Sequence, residues 1–131
     1  MKPLDQSTPE QFIADFFTSF HEQVVRGEHD PAPAMARFYT PGIVMISDGV
    51  RLDWGRLVDH IRPVRKNLAA DVEPRFEVHE AIADGDRIAA RLTIDATLRK
   101  KRIVTEVMAF YVFTPDGRMT RSHGFTRAAT A

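Results

Sequence analysis

The sequence predicts an α+β fold, in which a cone-like, curved antiparallel sheet wraps around three N-terminal helices. Two observations lead to this prediction. The second half of the chain reads as four successive strands, at residues 72–83, 87–98, 103–113 and 118–126, separated by short polar tips. Strands joined by such short connections pair antiparallel with their neighbours in sequence. The first half has helical apolar periodicity, and strands this long are expected to twist and curl around an apolar filler.

Composition places limits on the kind of protein. The 131 residues predict a single domain over residues 1–131, and 18 basic residues balance 18 acidic ones. Without a net charge there is no field to attract nucleic acid or an anionic membrane, so we expect neither as a partner. The absence of cysteine excludes disulfides and thiol nucleophiles and suits the reducing cytoplasm, which is the expected location. The N-terminus shows no apolar segment of a secretory signal, and no apolar run approaches about 18 residues.

The first helix is predicted to start at Thr8-Pro9 and to end near Gly27. Thr8 suits the N-cap, proline is favoured in the first turn, and Gln11 completes a capping box. An apolar stripe then recurs at intervals of three and four residues: Ile13, Phe16, Phe17, Phe20 and Val24. Such a phenylalanine-rich stripe predicts that this helix covers a hydrophobic core or cavity.

A second, short helix and a small hairpin follow. Asp30-Pro31 begins the helix, which is predicted to extend through Tyr39 and to end at Pro41-Gly42. Residues 43–46 predict a short buried strand, and Asp48-Gly49 is a strong signal for a tight hairpin turn.

The third helix follows the return strand of that hairpin. Residues 50–52 form the strand, and Asp53 is a suitable N-cap. Pro63 is expected to kink or restart the helix, because proline removes a backbone donor. The apolar side of the helix consists of Trp54, Leu57, Val58, Ile61 and Leu68.

Alternation along the long strands separates two faces of the sheet. On the strand at 87–98 the face with Ile88 and Leu92 is apolar, whereas the opposite face is mostly polar. The strand at 103–113 is apolar on both faces. Met108, Phe110 and Val112 form one face, and the other consists of Val107, Ala109, Tyr111 and Phe113. A strand buried on both sides needs a second partner. We therefore predict a homodimer through the outer sheet face at Met108, Phe110 and Val112.

Three segments carry a family resemblance: residues 38–44, residues 85–91 and residues 113–119. With the helix-rich first half they resemble the nuclear transport factor two-like superfamily, most closely its SnoaL-like and ketosteroid-isomerase-like members. The resemblance implies a cystatin-like α+β roll with a hydrophobic pocket at the open end of the cone. Members include isomerases, polyketide cyclases, dehydratases, epoxide hydrolases and non-catalytic binders, so the fold alone fixes no reaction.

The residues of a ketosteroid isomerase do not transfer well to this chain. The position of its aspartate base falls on Ser47, one residue before Asp48. The position of its protonated aspartate falls on Ala109, and no tyrosine occurs in residues 16–19 of the first helix. The resemblance therefore implies no steroid isomerisation.

The candidate catalytic residues are Asp48, Glu80 and His123. Asp48 ends a strand at the predicted mouth and would serve as a base, or it simply makes the Asp-Gly turn. Glu80 shares the apolar face of its strand with Val78 and would need a partner or a wet pocket, unless a one-residue bulge turns it outward. His123 suits proton transfer near neutral pH, although plain alternation places it on the outer face.

The candidate pocket residues are mostly aromatic: Phe17, His21, Tyr39, Trp54 and Tyr111. Tyrosine and tryptophan combine an apolar body with a polar donor, and His21 flanks the phenylalanine stripe; each of these residues is otherwise an ordinary core or boundary residue. The histidines lack metal-ligand spacing and no glycine-rich phosphate loop is present, so we expect neither metal nor cofactor. The basic run at residues 99–102 is interpreted as a solvated turn.

These observations predict a protein that binds an apolar or aromatic small molecule in a cone-shaped cavity. If it is an enzyme, it would use cofactor-free acid/base chemistry of the isomerase or cyclase type, with Asp48 or Glu80 as base and Tyr111, His21 or His123 as polarising group. The alternative is a non-catalytic dimeric module that binds a ligand or another protein.

Overall fold

The computed structural model describes residues 4–68 and 72–129 and confirms the predicted α+β class. A short 3-10 turn at Leu4–Gln6 precedes three helices: α1 (Pro9–Phe20), α2 (Pro31–Met35) and α3 (Trp54–Asn67). Six strands form one curved, unclosed sheet: β1 (Tyr39–Ser47), β2 (Val50–Leu52), β3 (Arg75–Asp84), β4 (Arg87–Leu98), β5 (Lys101–Phe113) and β6 (Met119–Ala128). The strand order is β2-β1-β6-β5-β4-β3, in which β1 and β6 pair parallel and every other pair is antiparallel.

The three helices begin at the predicted caps. The backbone N–H of Gln11 donates to Thr8 Oγ1 over 3.2 Å, and that of Arg56 donates to Asp53 Oδ1 over 3.0 Å. Asp30 Oδ1 likewise accepts from the N–H of Ala32 at 3.2 Å. Each cap satisfies a donor that has no partner within its helix. Helix α3 continues past Pro63 to its end.

The second helix is shorter than predicted. It ends at Met35, and Tyr39 already belongs to β1 rather than to a helix. Pro41-Gly42 lie inside β1 at exposed positions, where the pairing with β6 shifts register between Tyr39 and Val44. Such an irregular stretch tolerates a residue that has no backbone N–H, so the dipeptide does not end an element here.

Beyond α1 the chain winds into a π-helical turn, His21–Val25, which Arg65 of α3 holds in place. The Arg65 Nε and Nη2 atoms donate to the carbonyl of Val24 at 3.0 and 2.7 Å, and Nη1 donates to that of His29 at 2.6 Å. Carbonyls at the end of a helix have no hydrogen-bond donor within the helix. Here the Arg65 guanidinium is the donor to the carbonyl of Val24. The clamp fixes the position of His21 relative to α3.

A bulge in β3 changes the orientation of its second half. Val78 pairs with Leu92 and Glu80 pairs with Arg91, so that His79 is the extra residue. Beyond the bulge Ala81 is buried, whereas Ile82 lies on the outer face with 72% of its surface exposed. Plain alternation along the strand would place Ile82 on the face of Phe76 and Val78, and this expectation is wrong. The bulge reverses the alternation after Val78.

The core is a cluster of aromatic rings between α1 and the concave face of the sheet. Phe16 is fully buried and contacts the rings of Phe38 and Phe113 edge to face, at centroid distances of 5.6 and 5.4 Å. Phe12 approaches Phe113 to 4.8 Å at an interplanar angle of 81°. This geometry is favourable for aromatic quadrupoles and adds to the free energy gained by burial. The phenylalanine stripe of α1 thus forms a packed core.

Candidate functional site

The concave side of the sheet contains a small set of polar side chains within apolar surroundings. The tyrosines of this set, Tyr39 and Tyr111, are buried on β1 and β5. Ser122 of β6 pairs with Tyr111 across the strands and is also buried, and His21 is buried at the start of the π-helical turn. These groups are the polar features available to a molecule bound inside the cone.

The two tyrosines lie in a common aromatic cluster. Phe20 is 5.3 Å from Tyr39 and Phe17 is 6.0 Å from Tyr111 between ring centroids, and Phe17 also stacks on Phe76. No hydrogen bond joins either tyrosine hydroxyl to any residue that the structure describes. Burial raises the pKa of Tyr39 and of Tyr111, and the nearby phenol of Tyr111 raises the pKa of Tyr39 further. Both hydroxyls therefore stay protonated and can donate.

His21 is held as a neutral imidazole. Its Nε2 atom accepts a hydrogen bond from Arg26 Nε at 3.2 Å, which assigns the proton of the neutral ring to Nδ1. Burial is the main cause that lowers the pKa of His21, and the charge of Arg26 adds to it, whereas Glu73 and Glu22 oppose it. The ring lies 6.4 Å from that of Phe76. His21 is thus uncharged at neutral pH, and its Nδ1–H is a donor at the edge of the aromatic cluster.

The predicted pocket residues are thereby partly brought together. Phe17, His21, Tyr39 and Tyr111 are linked through ring contacts that also involve Phe16 and Phe76. Trp54 lies at the start of α3, half-buried against the core. Their role in binding a ligand stays a prediction.

Asp48 lies in the β1–β2 turn, where its carboxylate fixes the turn to β6. Asp48 and Gly49 both have positive φ angles, 51° and 81°, as a tight hairpin turn requires. The carboxylate accepts hydrogen bonds from the backbone N–H of Thr126 at 2.8 Å and from the Thr126 hydroxyl. These bonds, the hydroxyl first, lower the pKa of Asp48. The side chain is exposed and remains ionised near neutral pH.

Glu80 and His123 lie on the outer face of the sheet. The bulge at His79 turns Glu80 outward, where its Oε1 atom accepts from Arg91 Nε at 3.1 Å. His123 pairs across the strands with Phe110, and its ring is 6.1 Å from that of Phe125. Both residues line one groove of about 870 Å³ on this face. Catalysis by Asp48, Glu80 or His123 stays a prediction, and it would take place away from the interior.

Four large apolar side chains are exposed around that outer groove: Ile82 (72%), Met108 (61%), Phe110 (61%) and Phe125 (66%). We call this set the outer patch. The sequence identified Met108 and Phe110 but missed Ile82 and Phe125. Phe125 shares a strand face with Arg121 and His123 and was therefore recognisable on the outer face of the last strand. Ile82 was not recognisable, because only the strand pairing reveals the bulge.

Two kinds of feature are absent from the described residues. No helix in residues 4–68 and 72–129 combines the length and apolarity needed to cross a membrane. Within the same residues, His, Asp and Glu side chains form no group of three or more that could hold a metal ion.

The curved sheet, the three helices and the aromatic interior define a protein of the nuclear transport factor two-like fold. A family model described as a SnoaL-like domain matches residues 13–122, and the chain therefore belongs to the SnoaL-like family. No match was found among curated proteins.

Solved structures show the same fold. An NTF-2 like protein of unknown function from Silicibacter pomeroyi is 13% identical with a TM-score of 0.60, covering 95% of this chain and 100% of that one. The epoxide hydrolase/cyclase-like enzyme SalBIII, which has a role in pyran ring formation in salinomycin, is 16% identical with a TM-score of 0.64, covering 91% and 90%. An LEH-like epoxide hydrolase of M. tuberculosis is 16% identical with a TM-score of 0.59, covering 92% and 86%. Identities this low show a shared fold and no shared activity.

Proposed function

We propose that this SnoaL-like protein binds an apolar or aromatic small molecule on the concave side of its sheet. The observation that carries the proposal is that two buried tyrosines, Tyr39 and Tyr111, have hydroxyls without a hydrogen-bond partner among the described residues. Each hydroxyl can donate to a ligand that offers an acceptor atom, and one such hydrogen bond contributes about 1 kcal/mol. The preferred ligand therefore has an apolar body and a carbonyl or ether oxygen.

The same groups would support acid/base chemistry if the ligand is also a substrate. Two protonated phenols are suited to polarise a carbonyl, because their raised pKa values keep them as donors. Neutral His21 would be a further polarising group at the edge of the interior, through its Nδ1–H. Such chemistry would be of the cofactor-independent isomerase or cyclase type. It would use interior residues rather than the outward-facing Glu80 and His123.

Removing one tyrosine hydroxyl tests the proposal. We expect the wild-type protein to bind 2-acetylnaphthalene more tightly than 2-ethylnaphthalene, which has the same apolar body without the carbonyl. Tyr111→Phe should reduce this preference by about two- to tenfold, the free energy of one net hydrogen bond. The fluorescence of Trp54, the single tryptophan, reports binding of both compounds.

A matched control is the half-buried Thr120 of β6. Thr120→Val also removes one hydroxyl, but this hydroxyl donates to the carbonyl of Val112 rather than facing the aromatic cluster. It should leave the preference between the two naphthalenes unchanged. Equal affinity of wild-type protein for both compounds would show that the tyrosines do not recognise an acceptor, and failure to bind either would contradict an interior ligand site.

We further propose a homodimer through the outer sheet face, centred on Met108, Phe110 and Val112 and enlarged by the rest of the outer patch. Exposed apolar side chains in one contiguous groove are unusual on a monomer. Two ion pairs lie beside them on the same face, Glu80 with Arg91 and Glu106 with Arg127. A closed two-fold arrangement is the usual one for an interface between identical chains.

A charge placed in the outer patch should dissociate this dimer. Wild-type protein is expected to have twice the mass of one chain in light scattering after gel filtration, and Phe110→Glu the mass of one chain. Burying an unpaired carboxylate in an apolar interface costs several kcal/mol. Val50→Glu, which makes the same kind of change at an exposed residue of β2, should remain dimeric. A monomeric wild-type protein, or a dimeric Phe110→Glu, would contradict the proposal.

A further inference from the structure

His123 belongs to a row of side chains that crosses the outer face of the sheet. The strand pairing places Ile82 opposite Ala89, Ala89 opposite Phe110, and Phe110 opposite His123, so these four residues share one face. All four line the outer groove, and the ring of Phe125 lies 6.1 Å from that of His123 between centroids. A second copy that covers the two phenylalanines therefore also covers the imidazole between them.

The side chains next to His123 are either uncharged or positively charged. Across β5 its neighbour is Phe110, and across β1 it is Ile46. Ile46 in turn pairs with Arg51 of β2, so this guanidinium lies on the same face two strands away. On β6 itself the preceding residue of this face is the exposed Arg121. A proton on His123 would thus add positive charge to a surface that is already basic.

The carboxylates near this row are engaged elsewhere. Among the described residues that line the groove, the acidic ones are Glu80 and Glu106, and these pair with Arg91 and Arg127. Asp48, at the end of β1, already accepts two hydrogen bonds. A two-fold interface brings the same surface of both copies together, so the groove of the partner offers the same two paired carboxylates and no other.

His79, the other histidine of the groove, has different surroundings. Its Nε2 atom lies 2.6 Å from Thr93 Oγ1, and its Nδ1 atom lies 4.0 Å from Glu77 Oε1. The charge of His79 also acts on Glu106. A proton on His79 would therefore be balanced by carboxylates of its own chain. His123, in contrast, takes part in no ion pair within residues 4–68 and 72–129.

We infer that the homodimer dissociates in mildly acidic solution, because His123 has to be uncharged when a second copy covers it. This inference rests on the homodimer proposed above and adds its regulation by pH. A protonated ring covered by phenylalanines would lose its hydration without gaining a carboxylate, and the two copies would each contribute such a charge.

The direction of the effect follows from linkage. A free imidazole has a pKa of about 6.5, and histidine is the side chain that ordinarily changes its charge between pH 5 and 8. The separated chains bind the proton and the dimer does not. The dimer therefore has its full stability above about pH 6.5 and loses stability as the pH falls below this value.

The dissociation constant of the dimer at two pH values tests the inference. Sedimentation velocity over a range of protein concentrations gives this Kd at pH 7.5 and at pH 5.5, at the same ionic strength. For wild-type protein we expect the Kd to rise about 10- to 100-fold at pH 5.5, up to about tenfold for each of the two histidines. In His123→Gln, which has no titratable ring at this position, the Kd should change less than about threefold, since an amide stays uncharged at both pH values.

His79→Gln is the matched control, since it removes the other histidine of the same groove and should keep the pH dependence of the wild type. A monomeric wild-type protein at pH 7.5 would overturn the homodimer and with it the inference. If the wild type is equally dimeric at both pH values, or if His123→Gln keeps the pH dependence, the inference is wrong and the homodimer stands. Loss of the near-UV circular dichroism at pH 5.5 would attribute dissociation to unfolding and would equally contradict the inference.

Discussion

Gly124→Ala is expected to destabilise the protein by about 3 kcal/mol, at the upper end of the cost of overpacking a core. A Cβ atom on Gly124 would lie 2.6 Å from the Cβ of Ala109 and 2.7 Å from the carbonyl oxygen of Met108. These atoms belong to the neighbouring strand, which cannot rotate away as the end of a flexible side chain does. Urea unfolding followed by circular dichroism measures the effect as a lower midpoint.

Gly42→Ala provides the matched control, since the same change is made in another strand of the sheet. A Cβ atom on Gly42 would have no heavy atom within 4 Å, and the φ angle of this residue is not in the left-handed region. The free energy of unfolding of the control should lie within about 0.5 kcal/mol of the wild-type value, or slightly above it. Equal midpoints for the two variants would show that β5 and β6 are not packed as closely as the structure describes.

Phe16→Ala should cost about 3–5 kcal/mol, the range for removing a fully buried aromatic side chain. The ring has no exposed surface and contacts four other aromatic side chains: Phe17, Phe38, Tyr39 and Phe113. Its loss leaves a cavity between α1 and the sheet, and the surrounding rings come from α1, β1, β5 and the turn before β1, so they cannot all collapse into it. Thermal and urea unfolding should both show the loss.

Phe16→Leu separates the volume of this side chain from its aromatic contacts. Leucine fills much of the same space, so this variant should lose clearly less stability than the alanine variant. A cost below about 1 kcal/mol for Phe16→Ala would contradict the central position of this ring. If Phe16→Ala and Phe16→Leu lowered the free energy of unfolding equally, the edge-to-face contacts rather than the filled volume would stabilise the core.

Local signals in the sequence were enough to predict most elements. The hairpin at Asp48-Gly49, the caps at Thr8 and Asp53, and the alternation along β4 are each determined by residues within a few positions of one another. For the same reason the strand pairing of β3 to β6 was predicted correctly, and the family resemblance was confirmed by the match over residues 13–122.

The remaining features depend on contacts between distant parts of the chain. Nothing near His79 marks it as the extra residue of a bulge, because the bulge is defined by which residues of β4 lie opposite. Pro41-Gly42 predicts the end of a helix. Only the parallel pairing with β6 shows that the dipeptide lies inside a strand. Likewise, the sequence suggested Tyr39 and Tyr111 separately. Only the fold places the two phenols in one aromatic cluster and turns Glu80 away from it.

The parallel pairing of β1 with β6 has a consequence for how the protein is made. Besides β2, residues 39–47 pair with residues 119–128, so about 75 residues must emerge between these two strands before the sheet can be completed. Until then the first hairpin has no strand to join, and β5 presents a bare edge able to capture another chain. We therefore expect the sheet to assemble only after β6 has been synthesised, at a rate set by the encounter of β1 with β6.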